Sequence, residues 1–107
     1  MTTNSGPLMK LADLPVGANK AFLIDGRSIL LCHSTAGVFA LENKCTHQFA
    51  PLEGGRIRGH FLFCPKHGQR FDLRDGSTGG PLTKVAVPTF AVTVDDNDTL
   101  AVTLPQT

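Results

Sequence analysis

Two short groups of metal-binding side chains stand out: Cys45-Thr46-His47 and, after sixteen intervening residues (48–63), Cys64-Pro65-Lys66-His67. Each offers one thiolate and one imidazole, so two loops brought together supply two sulfurs and two ring nitrogens to one centre. Such a set suits zinc or an iron–sulfur cluster. The division into one cysteine and one histidine per loop favours a diiron cluster, because both sulfurs can serve one iron and both imidazoles the other.

Loops of this kind need a scaffold. Glycine and proline interrupt the chain roughly every eight to twelve residues, and the runs between them are rich in Val, Ile, Leu, Phe and Thr, which is an all-β signature. The pattern predicts strands over 8–11, 20–24, 27–33, 38–42, 56–58, 61–63, 90–94 and 100–103. Asp25-Gly26 reads as a tight hairpin turn. Arg58-Gly59-His60 links two very short strands, so that hairpin would carry the second knuckle on its outgoing arm. The residues from Asp95 to Asp98 close another hairpin. Only Ala12, Asp13 and Leu14, just before Pro15, suggest a helical turn. Antiparallel strands in small stacked sheets are the expected result.

At 107 residues the chain has the length of one ordinary domain, and residues 1–107 are read as such. Its 41% hydrophobic and 18% charged residues fit a globular protein. Three cysteines make a disulfide framework unsuitable and fit a reducing cytoplasm. No charged and apolar leader precedes Pro7, and no apolar run approaches the roughly 18 residues of a membrane span, so a soluble, cytoplasmic protein is expected. The net charge of +1 hides a bias. Lys44, Arg56, Arg58, Lys66, Arg70 and Arg74 face only Glu53 and Asp72, whereas Asp75, Asp95, Asp96 and Asp98 face only Lys84. Near-neutral balance without interleaved aromatics argues against nucleic acid.

From 45 to 82 the sequence resembles the Rieske ferredoxins, and the flanking strands are similar in length and order. Beyond the two knuckles, the run His67, Gly68, Gln69, Arg70, Phe71, Asp72 resembles the family's segment after its second knuckle. Gly79-Gly80-Pro81-Leu82 resembles its shielding loop. The resemblance implies the Rieske fold, stacked antiparallel β-sheets with a cluster-binding subdomain of two loops at about 43–83. It also implies one Rieske-type [2Fe–2S] cluster, with Cys45 and Cys64 on the inner iron and His47 and His67 on the outer one through Nδ1. The histidines would then be the exit for electrons.

Two departures from the family's high-potential members bear on chemistry. Those members tie the knuckles with a disulfide, at positions occupied here by Ala50 and Lys66, and place a serine and a tyrosine beside the cluster where this chain has Gln69 and Phe71. Without such hydroxyl donors the reduced cluster is less stabilised, and a potential on the order of −150 mV is expected.

By resemblance, the chain would be the monomeric ferredoxin component of a bacterial aromatic-ring-hydroxylating dioxygenase system. It would take electrons from an NAD(P)H-dependent flavoprotein reductase and pass them to the terminal oxygenase, with no catalysis of its own. The small subunit of an assimilatory nitrite reductase is an alternative, and a structural zinc module is one of another class. Outside the four ligands, Cys32 is read as core, His33 as an exposed strand residue and His60 as a solvated turn residue. Phe49, Pro51 and Leu52 are either an apolar collar or ordinary core. The six basic residues suggest a docking face for an acidic partner.

Overall fold

The strand Arg27–Ser34 carries four consecutive residues, Ile29, Leu30, Leu31 and Cys32, that are wholly shielded from solvent. Side chains alternate across a strand, so an unbroken apolar run must bury both faces. Leu30 and Cys32 enter one core with Leu41, Cys45, Leu52, Leu62, Cys64, Phe71, Leu73 and Val87. Ile29 and Leu31 enter a second with Leu14, Ile24, Ala40, Leu100, Val102 and Leu104. The first core reaches the candidate metal ligands, and the second holds the body together.

The structure is a computed structural model and describes residues 2–46, 50–66, 68–78 and 85–105. In chain order the strands are β1 (Thr2–Asn4), β2 (Met9–Lys10), β3 (Asn19–Ile24), β4 (Arg27–Ser34), β5 (Gly37–Glu42), β6 (Arg56–Arg58), β7 (Phe61–Phe63), β8 (Arg70–Asp72), β9 (Thr89–Val94) and β10 (Thr99–Pro105). A 3-10 turn at Leu11–Asp13 follows β2. The larger sheet runs β1-β10-β9-β5-β4-β3, with β2 also on β10, and the smaller runs β6-β7-β8. Every pairing is antiparallel. Among the described residues no helix is long and apolar enough to cross a membrane.

The predicted hairpins are present. Asp25 and Gly26 take φ of 50° and 79°, as a two-residue turn between twisted strands requires. Asp95 closes the far hairpin by accepting the N–H groups of Asn97 and Thr99 on Oδ1. Two strands lie outside the sequence reading, β1 and β8, and the expected 8–11 strand is shortened to Met9–Lys10 because Leu11 begins the 3-10 turn.

The small sheet is inserted between β5 and β9. It is fastened by the turn after β8, where Gly76 donates to the Asp72 carbonyl (2.7 Å) and accepts from Val87 (3.0 Å). Gly76 has φ +78°, and a Cβ there would overlap the Val87 carbonyl. Asp72, nearly buried, opens the same turn. Its carboxylate accepts the Arg74 backbone N–H (2.9 Å), Nε (3.1 Å) and a terminal guanidinium nitrogen (2.8 Å). This side-chain fork lowers the Asp72 pKa to about 2, outweighing the opposing effect of burial.

Gly76→Ala should therefore destabilise the fold by about 3 kcal/mol in denaturant titration, from strain plus overlap. Gly17→Ala, at φ +93° with open space around it, should cost only about 1 kcal/mol. The Asp72 carboxyl has a folded pKa below its unfolded value, so its contribution is complete above about pH 5 and fades as pH falls toward about 2. The stability gap between wild type and Asp72→Asn should be constant from neutral pH to about 5 and close below about 4. A gap unchanged at pH 3 would contradict the assignment.

Candidate metal centre

Both knuckles are closed in the same way. The Cys45 N–H donates to the Ala50 carbonyl (2.7 Å), and the Cys64 N–H donates to the Gln69 carbonyl (2.8 Å), so each cysteine is tied to the residue five positions on. In the second loop Gly68 also returns its N–H to the Cys64 carbonyl (2.9 Å), with φ +72° that glycine adopts at little cost. These bonds fix the backbone on which each thiol is carried.

Polar side chains fasten the first loop to the sheets. Asn43 Oδ1 accepts the N–H groups of Leu52 and Glu53 (2.8 Å each), while its Nδ2 donates to Ser28 Oγ (3.1 Å), so the first loop's entry and exit are stapled to β4. Asn19 on β3 donates to the Gly55 carbonyl (2.9 Å) and accepts from Gly54 (2.8 Å). Glu53 accepts the Ala21 N–H on β3 (2.9 Å). Thr46 Oγ1 donates to the Val85 carbonyl (2.6 Å), binding the first knuckle to the strand approach after residue 84. Among the described residues these polar anchors, with Asp72, are what sequence reasoning missed. Asparagine and aspartate in loops look like turn formers, and only the folded chain shows the backbone groups they satisfy.

Of the four expected ligands, Cys45 and Cys64 are 1% and 4% exposed and lie in one apolar core with Leu52, Leu62, Phe71, Leu73 and Val87. His47 and His67 lie outside the described residues, as do Phe49 and the loop Gly79, Gly80, Pro81 and Leu82. Among the described residues no three His, Cys, Asp or Glu side chains converge, so the cysteine pair is what this part of the structure contributes. Two buried sulfurs on independently braced loops, walled from water by aliphatic and aromatic carbon, fit a soft thiolate-bound centre.

Cys32 shares that core and is fully buried, and desolvation pushes its thiol up to about 12. A thiol held protonated is a poor ligand, and Cys32 is a core residue as expected. Leu52 is core, whereas Pro51 is exposed. His33 is not an exposed strand residue: half-buried, its Nδ1 lies 2.6 Å from the Leu14 carbonyl, and its own backbone pairs with Gly17 and Ala18. The segment that covers it comes from outside the hairpin, so strand alternation alone misplaces it. His60 packs on Phe61 (4.2 Å between ring centroids) and lies 3.7 Å from the Asp72 carboxylate.

Residues 4–91 match the family model described as the Rieske [2Fe–2S] domain. Over 97 residues the chain is 32% identical to the ferredoxin component of the naphthalene 1,2-dioxygenase/salicylate 5-hydroxylase systems of a Ralstonia species, covering 90% of this chain and 92% of that one. Among solved structures it resembles the ferredoxin of carbazole 1,9a-dioxygenase from Nocardioides aromaticivorans (28% identity, TM-score 0.81, 94% and 98% of the two chains). It also shares its fold with a nitrite reductase small subunit from Mycobacterium tuberculosis (21% identity, TM-score 0.89, 100% and 99%). With its twin knuckles and buried cysteine pair, the chain belongs to the Rieske [2Fe–2S] domain family, and its cofactor is one Rieske-type [2Fe–2S] cluster.

Proposed function

We propose that this protein is the low-potential ferredoxin of an aromatic-ring-hydroxylating dioxygenase system, a cytoplasmic monomer of one domain that carries single electrons. It takes them from an NAD(P)H-dependent flavoprotein reductase and delivers them to the terminal oxygenase. The observation that carries this reading is the pair of solvent-shielded cysteines on twin closed loops, within a chain that matches a dioxygenase ferredoxin over nearly its full length.

Cys45, His47, Cys64 and His67 are the ligands in this reading, and when bound the cluster supplies a reversible one-electron couple. The chain's own part is to hold and shield. The closures at Cys45 and Cys64 keep the sulfurs in place, and the aliphatic wall excludes water from them. All four ligand positions are spent on the metal centre, so none is left to bind a substrate there. Catalysis thus belongs to the partner. The same fold serves the nitrite reductase subunit, but a complete set of four ligand residues in this sequence favours a working carrier.

Phe71 is fully buried against β7, in register with Leu62, and has no hydroxyl to offer; one amide N–H of Gln69 goes to the Arg70 carbonyl. Both features support a potential at the low end of the Rieske range.

Dithionite-reduced protein should give a Rieske-type EPR signal and titrate as one electron; a colourless, EPR-silent sample after iron reconstitution would refute the carrier. Cys64→Ala should abolish the visible absorption and lower stability, because the metal centre contributes to folding. His67→Cys should retain colour at a lower potential with an altered EPR spectrum, and an unchanged spectrum would remove His67 from the ligand set. In film voltammetry the wild-type midpoint should fall near about −150 mV and rise in Phe71→Tyr. A wild-type value well above zero would contradict the argument from missing hydroxyls.

A further inference from the structure

The basic residues near the centre are not equivalent. Arg74 is committed to the Asp72 carboxylate, and Arg70 lies over the Phe61 ring with its guanidinium 4.6 Å from the centroid. Arg56, Arg58 and Lys66 are exposed, and among the described residues no carboxylate lies within ion-pair distance of them.

The register of β6 concentrates two of these charges. Ile57 turns inward against the core that holds Cys45 and Cys64, which sends Arg56 and Arg58 together to the opposite face. There they line a cleft of about 520 Å³ whose other walls are Gly54, Phe63, Cys64, Pro65 and Gly68. One wall is therefore the second knuckle itself. Gly54 and Gly68 leave open space where side chains would stand, so an incoming group can approach the backbone beside Cys64.

We propose that this cleft is the docking site for an acidic surface of the redox partner, with Arg56 and Arg58 taking its carboxylates and Lys66 adding charge at the rim. The assignment rests on the carrier reading above and narrows it to one side of the second knuckle. Two guanidinium groups offer forked N–H donors suited to carboxylates. The acidic Asp95, Asp96 and Asp98 hairpin lies at the opposite end of β9 from Thr89, the residue that pairs with β5 beside the cluster-binding part. The charge of that hairpin is thus kept away from the approach.

The test uses cluster-loaded protein and small probes. Dithionite-reduced protein is mixed in stopped flow with ferricyanide, which takes one electron from the cluster to become ferrocyanide, or with the cationic hexaamminecobalt(III). Arg56→Gln/Arg58→Gln should slow the anionic acceptor by about tenfold at low salt, speed the cationic one, and flatten the salt dependence. Lys10→Gln at the far end, and the charge-keeping Arg56→Lys/Arg58→Lys pair, should leave the ferricyanide rate near wild type. Independently, a hexaglutamate peptide should shift the Arg56 and Arg58 side-chain NMR signals, and the glutamine pair should abolish binding.

Equal ferricyanide rates in the wild type and the glutamine pair, or peptide shifts elsewhere on the surface, would overturn the docking site. Tighter binding of a short oligonucleotide than of hexaglutamate would overturn it in favour of phosphate. A wild-type sample with no reducible cluster would refute the carrier reading instead, and the peptide titration would still decide the cleft.

Discussion

Two irregular loops must be held still although no disulfide ties one to the other. Ala50 and Lys66 leave no cysteine pair to bridge the knuckles, so apart from the metal centre the restraint is non-covalent. The N–H groups of Cys45 and Cys64 are each spent on a carbonyl five residues ahead, and Asn43, Asn19 and Thr46 then lash the first loop to β4, β3 and the approach to β9. Bonds of this kind contribute about 1 kcal/mol each. Their value lies in acting together around one point.

The same point is wired into the body of the protein. Leu30 and Cys32 on β4 share a core with Cys45 and Cys64, while Ile29 and Leu31 on the same strand face the other core. One strand therefore connects the metal-binding part to the larger sheet through its two faces. Loss of the metal centre would be felt through β4, and loosening of the body would reach the cysteines by the same path.

The larger outline is legible in the sequence because alternation and turn chemistry act locally. The strands at 56–58 and 61–63 appear with the expected bounds, and the other six are displaced by only a few residues. β8 is hidden because Arg70, Phe71 and Asp72 are too few to show a period and sit inside the motif after the second knuckle. β1 is hidden because Thr2, Thr3 and Asn4 carry no apolar signal, and pairing with β10 is a matter of backbone hydrogen bonds. At the site, the residue types and spacing announce a metal centre. What the sequence cannot show is which basic side chains are already engaged, as Arg74 is by the Asp72 carboxylate. His33 fails for a related reason, its partner Leu14 being distant in the chain.

Glu53 reaches across to the outer edge of β3 and accepts the Ala21 N–H, and Asn19 ties the neighbouring glycines to the same edge. β3 ends the larger sheet and carries Leu23, the most exposed of its large apolar residues at 77%. An edge of that kind invites a second molecule to add a strand and grow an aggregate. By occupying one of its donors from within, the loop that frames the redox end leaves this edge one fewer unpaired N–H to offer an added strand.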